Sequence, residues 1–346
     1  MKVALCHHYS LTFYGGGERF LIETANQLKR NGCKVAVYAL PFERKPRNYE
    51  ALPKDIEYHE GFLHKIDDAD IGYFVYAPLV HKLFIGNFRR VGALHSFVFL
   101  TEMQSDRIRS MNSAGFMKQF GFLRFISKTY FDKFGDKDLS RFNAVHVINK
   151  EALKFIRRKK VYYIPNWIDT SRFRPLKEKN EKFTVIFSGR RSKGFPTFAK
   201  ITQLLRNEEI DFISLGSDLP KVKNVKNFGF ITDIEKLIKV YSSAHLLVHT
   251  SEVDVFPLTL LEAAACQTPI VALPTKAVQG LELPVFYAGS ANQFALVICM
   301  LRDIWHKKRE KFLEMCKRMR LKVVKHYDMN RVFPRFLGML REVASS

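Results

Sequence analysis

Three stretches of this 346-residue chain place reactive side chains or bare backbone where an α/β sheet would present them. The first is Tyr14-Gly15-Gly16-Gly17-Glu18-Arg19. Glycines let backbone N–H groups approach a phosphate, and a helix start behind them adds its positive dipole end. The spacing is neither G-x-G-x-x-G nor a Walker loop, so a tight turn without ligand competes with phosphate binding. The second is Ser188-Gly189-Arg190-Arg191-Ser192-Lys193-Gly194. Arg190 offers a fork to a diphosphate and Lys193 a point charge; a solvated basic turn is the alternative. The third begins at His249-Thr250-Ser251-Glu252-Val253-Asp254 and continues through Val255-Phe256-Pro257-Leu258-Thr259 to Glu262 and Cys266. There a strand ends, an acid follows, and Pro257 marks a helix start at which the N–H groups of Phe256, Leu258 and Thr259 have no helical partner. Glu262 lies further along the helix among apolar neighbours. An acid so placed needs hydroxyl groups of a sugar or ribose, or else a nearby Lys.

The elements that must position these stretches follow from hydrophobic periodicity. Residues 2–6 read as a buried strand, and Phe20, Leu21, Ala25 and Leu28 carry helical spacing as far as Asn31-Gly32. Residues 34–40 are the next strand, which makes a βαβ unit and hence a parallel sheet. Further strands are expected at 71–76, 91–94 and 144–148. Residues 163–180 mix Pro, Asn and charge without periodicity and read as a linker. The strand–turn–helix pattern then restarts, with strands at 183–188, 211–215, 246–249 and 269–273 and a helix around 198–205. Two α/β domains follow, and the length agrees.

Composition excludes several classes. Hydrophobic residues are 47% and charged residues 26%, ordinary globular values. The five Cys are odd in number, widely spaced and without a Cys-x-x-Cys, so a disulfide scaffold and a zinc finger are both disfavoured and a reducing cytosol fits. The opening MKVALCHHYS has too short an apolar run for a secretory signal. The longest apolar stretch, 256–274, carries Glu262 and internal prolines and does not read as a membrane span. The net charge of +22 is not ordinary: residues 81–160 contribute +11 and residues 301–346 contribute +8. Two basic blocks imply a polyanionic partner such as nucleic acid, an anionic membrane or a phosphorylated substrate.

Five landmarks in order make the chain resemble the retaining family 4 glycosyltransferases of the GT-B fold, also called group 1. They are Gly15-Gly16-Gly17-Glu18-Arg19, Ile164-Pro165-Asn166-Trp167-Ile168-Asp169, Gly189-Arg190 with Lys193-Gly194, Phe228-Gly229-Phe230-Ile231, and the acid pair around Phe256-Pro257-Leu258-Thr259 with its flank Ala263 to Ala272. The resemblance implies two Rossmann-like domains facing a central cleft. Residues 1–165 would form an acceptor-side domain, 166–181 a linker and 182–326 a nucleotide-sugar domain, with 327–346 a helix crossing back. It implies a UDP- or GDP-linked sugar as donor, with no metal or other cofactor and no obligate protein partner. Arg190, Lys193 and the amides near Phe256, Leu258 and Thr259 would meet the diphosphate, with Gly16 and Gly17 across the cleft. Glu262 would hold the ribose, Phe230 and Ile231 the base, and Asp254 and His95 the donor sugar. The chain departs from the pattern in four places, one of them the compressed region after Leu273. Asp254 stands where the family has Glu, Trp167 where it commonly has Gly, and the Arg190-to-Lys193 spacing is short. Asp68-Ala69-Asp70 and Asp136-Lys137-Asp138 spell the metal-binding triplet of the other major glycosyltransferase fold and read as chance.

The basic stretch GFMKQFGFLRFISKTYFDKF, residues 115–134, interleaves Lys118, Arg124, Lys128 and Lys133 with aromatics at helical spacing. One basic amphipathic helix is expected, with Lys118, Phe122, Arg124, Phe125 and Lys128 facing an anionic membrane or an acceptor. Packing of its aromatic face on its own domain is the alternative. The function expected is hexose transfer to a glycan or lipid-linked acceptor by a cytoplasmic enzyme peripheral on the inner face of a membrane. Transfer to nucleic acid and a non-catalytic sugar-nucleotide-binding protein are the competing readings.

Overall fold

The computed structural model describes residues 1–13, 16–42, 55–158, 160–216 and 219–346. The chain divides into two compact units. The first comprises Met1–Glu102, Ser110–Asn166 and Val332–Ser346; the second comprises Met103–Arg109 and Trp167–Arg331.

In chain order the elements begin with β1 (Lys2–His7), α1 (Gly16–Arg30), β2 (Lys34–Ala39), β3 (Glu57–Glu60), β4 (His64–Lys65) and β5 (Ile71–Val75). Next come β6 (Phe84–Ile85), β7 (Arg89–Leu94), α2 (Asp106–Arg109), α3 (Ser113–Phe120), α4 (Phe122–Leu139), β8 (Ala144–Val147) and β9 (Val161–Tyr163). The second half holds β10 (Phe183–Ser188), α5 (Phe195–Leu204), β11 (Ile210–Leu215), β12 (Val225–Asn227), α6 (Ile234–Ser243) and β13 (Leu246–His249). It ends with α7 (Leu258–Ala265), β14 (Ile270–Ala272), α8 (Lys276–Gln279), β15 (Phe286–Tyr287), α9 (Ala291–Lys307), α10 (Arg309–Tyr327) and α11 (Met329–Ala344).

Each unit is built on one parallel sheet, the α/β architecture the sequence pattern implies. The first runs β3-β2-β1-β5-β7-β8-β9 and the second β12-β11-β10-β13-β14-β15. Strands covered on both faces read as nearly continuous apolar runs, as in β1, β5, β10 and β13. The βαβ start is as the spacing predicts: α1 buries Phe20, Leu21, Ala25 and Leu28, and β1 pairs with β2 in parallel. The core of the second unit is aromatic, with Phe187 stacked on Phe198 and edge-on to Phe195, and Trp305 against Phe312. Burying each such ring stabilises by about 2–3 kcal/mol.

The expected single helix over 115–134 is corrected to two, α3 and α4, broken at Gly121. Gly121 sits at φ 90° and ψ 158°, backbone that only glycine adopts without strain. The break ends one periodicity and starts another, so the aromatics divide. Phe120 packs on Phe116 and Phe97, and Phe131 packs on Phe99 and Tyr76. Phe122, Leu123 and Ile126, just past the break, are 63%, 79% and 45% exposed.

Residues 166–181, irregular in backbone, are not loosely held. Trp167, Ile168 and Phe173 are buried in the second unit, and Ile168 bridges to Asp328. The Lys179 ammonium donates to the Ala244 carbonyl at 2.6 Å, and burial pushes its pKa down to about 8. The two Asp-x-Asp triplets have local partners. Asp70 accepts from the Lys2 N–H at 2.7 Å, and buried Asp138 accepts from the Tyr76 hydroxyl at 2.8 Å.

Gly194 closes the 3-10 turn Arg191–Lys193 and opens α5 at φ +91°. A β-carbon there would sit 2.1 Å from the Thr250 carbonyl oxygen. Gly194→Ala should therefore cost roughly 2 kcal/mol or more, read as a lowered urea midpoint of the second unit.

Candidate functional site

The sequence-predicted residues of the second unit gather where strands of its parallel sheet end, the edge at which such sheets bind ligands. β10 ends at Ser188 and runs through Gly189 into Arg190, which is exposed. The tight approach at Gly194, where Thr250 donates its hydroxyl to the Gly194 carbonyl at 2.8 Å, joins this turn to the loop after β13. That approach lets the Lys193 ammonium reach the Asp254 carboxylate at 2.7 Å and the Val253 carbonyl. His249, at the end of β13, places Nε2 3.3 Å from the other Asp254 oxygen. Burial alone would raise the Asp254 pKa. Lys193 and His249 outweigh it and hold the carboxyl well below the usual carboxylate range, so it is ionised.

A segment from the first half of the chain grips the same loop. The Asp254 N–H donates to Gln104 Oε1 at 2.8 Å, and the Ser105 N–H donates to the Glu252 carbonyl at 3.2 Å. Arg107 Nε donates to Glu252 Oε1 at 2.7 Å.

Glu262 lies in the second turn of α7 and is buried. Tyr241 of α6 donates its hydroxyl to Glu262 Oε2 at 3.2 Å, and the same hydroxyl lies 2.9 Å from Ser188 Oγ. No side chain caps α7 at Pro257. Phe256 is buried with its ring on Tyr327, so its ring anchors the helix start, while Leu258 and Thr259 are half-buried. At the other end of α7, Arg320 donates to the carbonyls of Ala265, Phe173 and Thr170, a cation at a helix C-terminus. Phe230 and Ile231 lie in the loop after β12, Phe230 about half exposed. The Gly216 N–H donates to the Gly229 carbonyl at 2.8 Å and ties that loop to the end of β11. A cavity of about 730 Å³ in this unit reaches Thr184 and Asp211, at the opposite ends of β10 and β11 from these residues.

In the first unit, Gly16 and Gly17 open α1 and are exposed; Tyr14 and Gly15 of the same motif lie outside the described residues. His95 directly follows β7, with the Phe20 ring of α1 5.7 Å away. Its Nε2 lies 2.9 Å from the Tyr73 hydroxyl. On α3 and α4, Lys118 is exposed, Arg124 lies over the Phe97 ring, Phe125 is half-buried and Lys128 pairs with Asp132. Phe122, Leu123 and Ile126 are exposed near the start of α4, and Phe134 further along it.

Lys193, Asp254 and Gly194 thus share one cluster, while Glu262 belongs to a second network through Tyr241. Sequence reading did not single out Gln104, Tyr241, Tyr73 or His146. Gln104 and Asp254 are 150 residues apart, and no local spacing signals such a pair.

Residues 182–301 match the family described as glycosyl transferases group 1. A curated relative is the alpha-galactosylglucosyldiacylglycerol synthase of Streptococcus pneumoniae, 28% identical over 145 residues. That match covers 34% of this chain and 38% of the relative's own length. The sucrose-phosphate synthase of Thermosynechococcus elongatus is similar in structure, with TM-score 0.75 and 17% identity over 100% of both chains. HepE of Anabaena, solved with UDP and glucose, gives TM-score 0.70 and 14% identity over 99% of this chain and 100% of its own. The fold is GT-B.

Asp254→Asn removes the charge that Lys193 and His249 hold. Because the folded pKa is depressed, the charge's contribution is fully present above the unfolded value of about 4 and is lost as pH falls through the folded value. The variant should unfold roughly 2 kcal/mol more easily at pH 7 and pH 5, and the difference should shrink below pH 4. Urea titrations at pH 7, 5 and 3 read this; a gap that widens at pH 3 contradicts the ion pair.

Proposed function

We propose, from the glycosyl transferases group 1 domain and the GT-B fold the chain carries, that it is a retaining hexosyltransferase. It would move a hexose from a UDP- or GDP-linked sugar to a glycan or lipid-linked acceptor at a membrane surface. The observation that carries the reading is the composition of one sheet edge: exposed Arg190, the uncapped start of α7, ionised Asp254 and buried Glu262 all belong to the group 1 domain.

Each group has a role that follows from its chemistry. Departure of a nucleoside diphosphate builds negative charge, which preorganised cations and amides stabilise. Arg190 and the N–H groups of Leu258 and Thr259 meet that charge, with Gly16 and Gly17 as further amide donors. Lys193 joins them when the diphosphate competes for its ammonium. Asp254, released from Lys193, accepts from donor sugar hydroxyls. Its side chain is one methylene shorter than the family's Glu, which shifts that contact or bridges it by water. Glu262 accepts from the ribose, oriented by Tyr241, and the backbone at Phe230 and Ile231 meets the base. The charge is met by protein cations and amides, so the reading calls for no metal and no further cofactor. It requires no protein partner.

The acceptor side rests on two supports. The named product of the Streptococcus pneumoniae relative is a glycolipid. Phe122, Leu123 and Ile126 are exposed within the basic block that also carries exposed Lys118, a combination suited to an anionic bilayer interface. No helix among the described residues is long and apolar enough to cross a membrane, so attachment would be peripheral. A cytoplasmic, inner-face location follows from that reading.

Glu262→Ala and Arg190→Ala should each abolish hydrolysis of nucleotide sugars, measured across a panel of UDP- and GDP-sugars, while circular dichroism stays native. Full activity in both variants sinks the donor site. The acceptor surface is read separately. Wild-type chain should co-sediment with anionic vesicles more than with DNA at matched salt, and Phe122→Glu with Leu123→Glu should cut vesicle binding about tenfold or more. Preferential DNA binding, unchanged by those substitutions, supports a nucleic-acid acceptor instead.

A further inference from the structure

His95, Tyr73 and His146 form one line of hydrogen bonds inside the first unit, and its polarity is forced from one end. His146 Nε2 lies 2.7 Å from the Ile164 carbonyl oxygen, which can only accept. Nε2 therefore carries the proton. Burial pushes the His146 pKa down to about 4, so at neutral pH Nδ1 is bare. Nδ1 lies 2.8 Å from the Tyr73 hydroxyl, which must donate to it. The Tyr73 oxygen is then left to accept, and the group 2.9 Å away is His95 Nε2. His95 is itself pushed well below its ordinary value by burial and by the nearby His146, His7 and His8. It carries one proton, on Nε2.

The line is sealed at its inner end. Tyr73 and His146 are fully buried, and Phe336 of α11 lays its ring 5.1 Å from Tyr73 and 5.8 Å from His146. Phe20 flanks the His95 ring. His95 is only partly buried, and among the described residues its Nδ1 makes no hydrogen bond. The buried members of the line are satisfied by protein, and His95 Nδ1, at its partly exposed end, is left for water or a ligand. The line begins at a carbonyl and ends at a lone pair.

We infer that the Ile164 carbonyl, acting through His146 and Tyr73, fixes His95 as the Nε2–H tautomer and presents Nδ1 as a hydrogen-bond acceptor for a hydroxyl of the donor sugar. Tyr73 and His146 are then positioning residues for His95. The sugar hydroxyl rests on the function proposed above; the tautomer does not. A neutral acceptor of fixed direction selects a hydroxyl and rejects a carbonyl or phosphate oxygen, which has no proton to give.

The test is nitrogen NMR of the full chain with labelled histidine, together with donor hydrolysis. His95 in the wild type should show a protonated Nε2 and a bare Nδ1. Tyr73→Phe keeps the ring and removes only the hydroxyl. It should release His95 into a mixture of tautomers and lower kcat/KM about tenfold. His146→Gln offers the same donor and acceptor pair and should retain the single tautomer; His146→Leu should not. A wild-type His95 protonated on Nδ1 overturns the inference, as does a Tyr73→Phe variant with an unchanged tautomer. An unchanged kcat/KM in Tyr73→Phe removes the catalytic consequence. If no nucleotide sugar is turned over by any form, the proposed function fails while the tautomer assignment is still decided by the spectrum.

Discussion

The ion pair between Lys193 and Asp254 is the constraint on which the second unit's site depends. It spans 61 residues and joins the turn after β10 to the loop after β13. The pair forms because Gly194 lets two backbones touch, with no room for a β-carbon against the Thr250 carbonyl. Once it forms, the loop from Thr250 to Phe256 has a fixed course. Gln104 accepts its Asp254 N–H, Arg107 holds Glu252, and Phe256 lodges against Tyr327 at the start of α7. The helix that carries Glu262 is thus fixed at its N-terminus by this loop and at its C-terminus by Arg320. A largely buried carboxylate with a cation at 2.7 Å is a costly arrangement to break, because either partner left alone in that surrounding lacks solvation.

What was legible in the sequence follows from which interactions are local. β10 and β13 announce themselves because strands buried on both faces need apolar side chains at most positions. The glycine turns and the Pro at the start of α7 are legible for the same reason, since each answers a backbone demand at its own position. β12, with the sequence Val225–Asn227, and β3, with Glu57–Glu60, are sheet edges whose side chains alternate or face water, and neither stood out. The helix break at Gly121 was hidden by aromatics that keep helical spacing on both sides of it. Periodicity counts positions and does not register one residue at positive φ.

The site residues divide in the same way. Asp254, Glu262, Arg190 and Lys193 were found because their spacing around a strand end and a helix start carries meaning. That Lys193 would be paired with Asp254 had no local sign. Tyr73, His95 and His146 are joined across the sheet at separations of 22 and 73 residues; His95 was singled out through the family resemblance, whereas Tyr73 and His146 each alone read as ordinary strand residues. Their common feature is sheet order: β5, β7 and β8 are neighbours, so residues at corresponding depths on one face meet. Strand order, which short local patterns do not specify, was the missing information.

Both units use burial to set a protonation state, with opposite results. In the second, burial works against the charge on Asp254, and a cation at 2.7 Å reverses the balance, so the acid stays ionised. In the first, burial acts on His95 and His146 without an opposing carboxylate, and both imidazoles stay neutral. An ionised carboxylate and a neutral imidazole with a bare nitrogen are both acceptors. Each suits a partner that brings its own proton, as a sugar hydroxyl does and a phosphate does not. Of the cations, Arg190 lies exposed at the sheet edge and Lys193 is paired with Asp254. On the proposed reading, acceptors face the sugar and donors face the diphosphate. Most of the +22 lies in the two basic blocks, residues 81–160 and 301–346, rather than in these groups.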